Sequence, residues 1–369
     1  MPVMLRQTVT IAQNTFTESI RQPVYTVVLL VAAAGLALNP SLSAYSMETG
    51  EGDKKLLVDM GLSVVFLAGM LLAAFTATGV LSREIEQKTV LTVVSKPVAR
   101  PLFVLGKFLG VAAAIALAYW VLSLLFLCTY RHGVMSTTRD DFDLPVIGFT
   151  LLAALTALAI GAGANYLYNW SFTSTFIKTL AVTMTAAFVG VLLLGKGFVL
   201  QNPLTDLVAH RGELVEVMVG LFMIFQAVLI LTALAVAVST RLGQVMTLMI
   251  CIGTFMLGAV TSSLSGKVNE RLNLPHDLEV LASVSAVFGA DSSWAQKAAD
   301  VASKLIYLVV PNLQFLWPAD AITQGHSLIS LDDGSLSFVA LGQVSLYAAL
   351  YTTALLALAV VLFQRREVG

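Results

Sequence analysis

Gly190, Gly195 and Lys196 stand in the spacing Gly-x-x-x-x-Gly-Lys, which opens a loop that wraps backbone amides around the phosphates of ATP. Such a loop continues with a Ser or Thr that holds magnesium, and here Gly197 takes that place. The residues between, Val191, Leu192, Leu193 and Leu194, continue an apolar helix instead of turning a strand into a helix around phosphate. The chain is therefore expected to bind no ATP, magnesium or other cofactor itself. No His-Glu-x-x-His pair offers a zinc site and no Gly-x-Ser-x-Gly offers a nucleophile turn, although hydroxyls cluster from Thr261 to Ser265. Cys128 and Cys251 lie in separate apolar runs, which gives neither metal-ligand spacing nor a disulfide framework. These residues do not assemble into an enzyme.

The elements that carry them explain why. Of the 369 residues, 57% are hydrophobic and only 12% charged, about half the charged share of a soluble domain. Basic and acidic residues balance at 21 to 22, so no positive field exists to gather nucleic acid, and none is expected as a partner. Uncharged runs cover 24–47, 60–82, 108–130, 144–177, 179–195, 217–240, 242–266 and 334–364. About twenty apolar residues, rising about 1.5 Å each, cross a hydrocarbon core of about 30 Å. The pattern predicts an all-α polytopic bundle of eight transmembrane helices near 24–40, 60–81, 102–127, 146–168, 178–196, 214–238, 243–264 and 339–363.

Residues 1–23 carry a different pattern. Leu5, Val9, Ala12, Phe16 and Ile20 recur at helical spacing, with Arg6, Gln13, Glu18 and Arg21 elsewhere. This predicts an amphipathic helix on the membrane surface with lipid as its partner, ended by Pro23, and argues against a cleaved signal peptide. With both termini in the cytoplasm, the inner segments hold Arg6, Arg21, Arg83, Lys88, Lys96, Arg100, Lys107, Lys178, Arg241, Arg365 and Arg366. The short outer loops hold fewer: Lys54, Lys55, Arg131, Arg139, Lys196 and Arg211. That bias, with an even number of spans, places 82–101 in the cytoplasm of a plasma-membrane protein.

Ion-coupled carriers need an ionisable group at mid-membrane to bind and release the driving ion. Here Lys107, Lys178 and Glu216 sit near span ends, within snorkelling reach of water, and His132, His210, His276 and His326 fall in predicted outer loops. Asn165, Gln226 and Gln343 are read as interhelical hydrogen-bonding groups. Energy is then expected from another protein, and the charged inner loop is the place for it to dock. Ser82 can cap a helix holding Glu84, Glu86, Gln87 and Lys88, with Val90, Leu91, Val93 and Val94 as its apolar end and Pro97 as its stop. The competing reading of this loop is a basic topology anchor with nothing docked.

At this loop the sequence resembles the permease subunits of ABC-2-type ATP-binding-cassette transporters. The likeness rests on Glu86-Gln87-Lys88-Thr89, then Ser95-Lys96-Pro97-Val98-Ala99-Arg100, then Leu105-Gly106-Lys107. Ser239-Thr240-Arg241-Leu242, Val310-Pro311-Asn312-Leu313-Gln314-Phe315 and the terminal Phe363-Gln364-Arg365-Arg366-Glu367 are similar to family segments too. The resemblance implies a coupling helix over 83–94 that fits a separate ATPase subunit, where ATP and magnesium would be held. The contact would involve Arg83, Glu84, Glu86, Gln87, Lys88, Thr89, Lys96, Pro97 and Arg100. It further implies a second permease subunit, identical or related, a lean toward export, and an outer gate that includes Pro311, Asn312 and Phe315.

Family members commonly have six spans, so the pair at 146–168 and 178–196 is read as an addition. Its Gly161, Gly163, Ala186, Ala187 and Gly190 favour close helix contact. Segment 265–338 is too long for a simple connection, and Trp294, Ala298, Val301, Leu305 and Leu308 share a helical face ending at Pro311, as an outer-leaflet helix would. The expected organisation is an interface helix at 1–23, a bundle over 24–264 containing the loop 82–101, an extracytoplasmic or re-entrant segment over 265–338, and a last span with its tail over 339–369. Two other functions stay open at this point: a non-transporting membrane scaffold and an ion-coupled carrier.

Overall fold

The computed structural model describes residues 3–45, 51–86, 99–134, 142–202, 213–264, 310–323, 330–332, 335–337 and 339–364. Helix α1 (Val3–Arg21) stops where Gln22 turns extended at φ −67° and ψ 131°, and Pro23 opens α2 (Pro23–Ser43). Proline suits that first turn, since the N–H it lacks would have had no helical acceptor. There follow α3 (Glu51–Glu86), α4 (Arg100–His132), α5 (Leu144–Tyr168), α6 (Phe172–Leu193), α7 (Glu213–Ser239) and α8 (Gln244–Leu264). A 3₁₀ turn (Leu313–Leu316), the short α9 (Ala319–Thr323), an antiparallel pair β1 (Ser330–Asp332) and β2 (Ser335–Ser337), and α10 (Val339–Gln364) complete the described chain.

The architecture is the expected all-α membrane bundle, with this three-residue hairpin as a minor addition. Among the described residues seven helices, α2 to α7 and α10, are long and apolar enough to cross a membrane. The eighth expected span is α8, 21 residues long, of which Gln244–Gly258 forms a shorter apolar helix. The predicted outer-leaflet helix through Trp294 and Leu308 lies outside the described residues.

The chain forms two compact units, Met1–Leu248 with Pro318–Gly369, and Met249–Trp317. In the first, α3, α4 and α7 are mostly buried and form the centre, while α5 and α10 expose most of their length. The exposed residues of these outer helices include Leu151, Leu155, Leu346 and Leu350, as expected of a surface solvated by acyl chains. Helix α2 packs on α3 and α4, α10 packs on α7, α5 and α6 pair with each other, and α1 runs along α4.

Lipid supplies no competing water, so interhelical hydrogen bonds to spare carbonyl lone pairs help to fix these pairs, at about 0.6 kcal/mol each. Tyr25 Oη donates to the Ala114 carbonyl at 2.6 Å, Tyr119 Oη to Leu221 at 2.7 Å, and Asn39 Nδ2 to Leu57 at 2.9 Å. Gln226 Nε2 donates to Ser345 Oγ at 3.0 Å, which is the interhelical role the sequence suggested. Asn165 does otherwise: its Nδ2 reaches the Trp170 carbonyl at 2.6 Å and closes the turn where Asn169, left-handed at φ 55°, ends α5. Gln343 is exposed on α10.

The α5–α6 pair is close-packed along part of the predicted set of small residues. A Cβ on Gly161 would lie 3.2 Å from Phe176 Cβ and one on Gly190 3.1 Å from the Phe149 ring, while Thr183 Oγ1 donates to Ala153 across the pair at 3.0 Å. Ala187 is buried, but Ala186 is exposed and Gly163 has open space beside it, so these two face away from the seam. Gly163→Ala is accordingly expected to cost nothing in packing and to raise helix stability by about 1 kcal/mol at most, which thermal unfolding in detergent would measure.

Candidate functional site

Four helix ends matter to the loop between α3 and α4: the last turn of α3, the first of α4, the last of α7 and the last of α10. The final four carbonyls of any helix have no acceptor role inside it and must find donors elsewhere. In α7 they are met locally. Ser239 Oγ donates to the Val236 carbonyl at 3.0 Å and Thr240 Oγ1 to Ala237 at 2.7 Å, both buried, while the backbone amides of Arg241 and Leu242 reach Val238 at 3.0 Å.

In α10 they are met by two arginines from elsewhere in the chain. Arg241 Nε and Nη2 donate to the Leu362 carbonyl at 3.1 and 2.8 Å, and Arg100 Nη1 donates to Gln364 at 3.0 Å. Both cations sit at the negative end of the α10 dipole, the favourable place for positive charge. Below them the Phe103 and Phe363 rings stack with centroids 5.5 Å apart and both side chains buried. The start of α4, the end of α7 and the end of α10 are thus clasped together. Arg100 was a predicted contact residue; the part played by Arg241 was missed, although a basic residue straight after an apolar span is the available signal.

Arg241→Ala removes two bonds to an exposed carbonyl and is expected to cost about 1 kcal/mol, whereas Arg241→Lys keeps the charge without the fork and should recover only part of it. Thermal midpoints of the purified chain would check the order: wild type, lysine, alanine.

The other predicted site residues fall as follows. Arg83, Glu84 and Glu86 belong to the last turns of α3, which runs unbroken from Glu51. Ser82 therefore does not cap a separate helix; the strong helix formers after it simply prolong the span. Gln87, Lys88, Thr89, Lys96 and Pro97 lie outside the described residues. Pro101 occupies the first turn of α4, with Ala99 extended before it at ψ 130°, so the chain re-enters the bundle at Arg100.

The predicted gate residues Pro311, Asn312 and Phe315 belong to the second unit. Asn312 Oδ1 accepts the Gln314 amide at 3.1 Å and so caps the 3₁₀ turn, and Phe315 sits within that turn. Pro311 presses its carbonyl on α8: a Cβ on Gly258 would lie 2.5 Å from that oxygen. Close backbone approach explains the glycine. At the look-alike phosphate loop, Gly190–Leu193 are helical. Leu194 bridges Leu200 around a turn in which Gly197 and Phe198 have φ of 81° and 63°. The expected span 178–196 therefore runs over Phe172–Leu193 instead.

Among the described residues, α3 and α4 are central helices of a multi-pass bundle and flank a segment whose sequence is rich in charge. Residues 9–175 match the model of the ABC-2 family transporter proteins, and over that segment the chain is similar to the ABC-2-type permeases. No curated protein and no solved structure matches the chain.

Proposed function

We propose that this chain is the membrane subunit of an ATP-driven exporter in the plasma membrane, moved by a separate ATP-binding subunit that grips residues 82–101 in the cytoplasm. The observation that carries the reading is the pair of helices flanking that loop. Helix α3 has 36 residues and α4 has 33, about 54 and 50 Å at 1.5 Å per residue, so each is longer than the hydrocarbon core is thick. Both stand at the centre of the bundle, and α4 touches α1, α2, α3, α6, α7 and α10. A push on the loop therefore enters two rods that contact nearly every other helix of the first unit.

In this reading two copies of the chain, or this chain and a relative, face each other. ATP closure draws the two ATP-binding subunits together, and the bundle shifts between inward-open and outward-open packings. The ATP and magnesium chemistry resides on those partners. Arg83, Glu84, Glu86, Gln87, Lys88, Thr89, Lys96, Pro97 and Arg100 make the contact, and Pro311, Asn312 and Phe315 belong to the outer gate. The scarcity of charge in the spans favours an apolar or lipid-like cargo. The alternative, a membrane scaffold that moves nothing, is separated by ATPase measurements in liposomes holding the chain and its partner. A transporter predicts hydrolysis that responds to cargo and uptake that requires both subunits; hydrolysis indifferent to every cargo supports the scaffold.

A further inference from the structure

The turn between α5 and α6 carries a cluster of exposed aromatic side chains that the mechanism above does not use. Tyr166 is 89% exposed, Tyr168 68% and Trp170 59%, with Leu167 among them at 71%. Not one Asp, Glu, Lys or Arg occurs from Leu144 to Ile177, so the turn and most of both helices share a single uncharged run. Two other connections on that side of the bundle do carry charge, the α3–α4 loop through Lys88, Lys96 and Arg100 and the α7–α8 turn through Arg241. Turns that face water or a protein are free to carry charge; a turn that stays among lipids is not. The rings are also held in place. Asn165 Nδ2 donates to the Trp170 carbonyl at 2.6 Å, Asn169 turns the chain at a left-handed φ of 55°, and the Tyr168 and Trp170 rings lie with centroids 5.7 Å apart.

Helix length sets the depth of the turn. Helix α6 has 22 residues, about 33 Å, against a hydrocarbon core of about 30 Å, so Phe172 at its start lies close to the core boundary. Helix α5 has 25 residues, about 38 Å, and its last turn, which holds Tyr166 and Tyr168, reaches just past that boundary. Helix α1 marks the same level independently. Lys178, on α6, holds its ammonium 5.9 Å from the centre of the Phe16 ring of α1, and α1 exposes Met4, Leu5 and Val9 as a helix lying on a membrane does. We propose that the α5–α6 turn is an anchor in the lipid–water interface, with Tyr166, Tyr168 and Trp170 seated where acyl chains give way to glycerol and headgroups. Each joins an apolar ring to one polar group, so it is solvated best where the two surroundings meet. The surface is continuous with the acyl-solvated face of α5 that Leu151 and Leu155 expose. The anchor fixes the depth of α6, and α6 is tied to α4: Trp120 Nε1 donates to Thr185 Oγ1 at 3.0 Å and Arg131 Nη2 to the Leu194 carbonyl at 2.8 Å.

The anchor rests on the membrane placement of α5 and α6 and not on the coupling mechanism, so it stands or falls separately from the ATP-driven reading. The test is tryptophan fluorescence of the full chain in phosphatidylcholine vesicles whose acyl chains carry bromine, a contact quencher, either near the headgroup or near the terminal methyl. The emission lost in Trp170→Phe isolates Trp170, an exposed side chain whose replacement leaves the Asn165 bond to its carbonyl intact. The emission lost in Trp120→Phe supplies the deep reference, since Trp120 is half-exposed near the middle of α4. Trp170 is expected to be quenched about twofold more by shallow bromine than by deep bromine, and Trp120 the reverse. Equal quenching of Trp170 at both depths, or stronger quenching by deep bromine, overturns the proposal. So does quenching by iodide in the water phase with neither bromine effective, which places the turn in water. Trp170 reached by neither bromine nor iodide assigns the turn to a protein neighbour and likewise overturns the lipid anchor.

Discussion

Replacing Glu86 and Lys88 together with alanine is expected to leave the chain inserted and folded while ATP hydrolysis by its partner no longer drives transport. Glu86 closes the described part of α3, and Lys88 follows two residues on, so both sit where a push would enter the longest helix of the bundle. A charged pair at the centre of a docked surface contributes about 2 kcal/mol when its partner groups are desolvated. At about 1.4 kcal/mol per tenfold, that amounts to about a 30-fold weaker grip on the loop, and cargo moved per ATP hydrolysed is expected to fall with it. The measurement is that ratio in liposomes, with the unliganded ATPase rate as a control. An unchanged ratio in a double mutant that still binds its partner would count against this loop.

The second large effect is expected at Gly110, where Leu should strip α1 from α4. A side chain here meets the Ala12 carbonyl 2.5 Å away, and a backbone oxygen cannot swing aside as a flexible side chain can. Thr15 Cβ stands at the same distance, and at Gly106, one turn earlier, Ile11 lies 2.8 Å from the same kind of intruder. Overpacking of this sort costs about 1–3 kcal/mol when neighbours can relax, and here the easiest relaxation is departure of the whole helix. Hydrogen exchange over residues 3–21 should accelerate strongly in Gly110→Leu while α7 stays protected. Uniform exchange across the chain, or none, would contradict this seam.

That seam also shows where the sequence could be read and where it could not. Leu5, Val9, Ala12, Phe16 and Ile20 mark α1 as amphipathic, yet Leu5 and Val9 are exposed and the residues that meet Gly106 and Gly110 of α4 are Thr8, Ile11, Ala12 and Thr15. Two hydroxyls of α1 bond back to their own helix, Thr8 Oγ1 to Met4 at 3.0 Å and Ser19 Oγ to Thr15 at 2.8 Å, while Thr15 meets Gly110 through its Cβ and methyl group. A polarity scale counts them as polar, while glycines opposite them accept them as small.

The spans themselves were legible, since lipid excludes charge and the uncharged runs show where. Their ends were less so. Helix α3 begins at Glu51, before the apolar run, because the residues around Asp53, Lys54 and Lys55 are helical without being hydrophobic. Of the site, the charge run of the loop was visible, and so was the re-entry at Arg100. The clasp of Arg241 and Arg100 on α10 was not, because periodicity within one helix says nothing of which other helix ends beside it. Gly163 and Ala186 teach the same lesson: small residues announce close packing but not the face on which it occurs.

The account depends most on a soluble ATP-binding subunit gripping the α3–α4 loop from the cytoplasm. The two native cysteines, Cys128 and Cys251, are buried, so the wild type serves as the control for a thiol introduced by Lys88→Cys. A cysteine-directed cross-linker applied to membranes with that variant should join it to a protein carrying a phosphate-binding loop, in a yield that changes when ATP is added. Labelling of the introduced thiol only from the outer side of the membrane, with no such protein captured, would contradict the account.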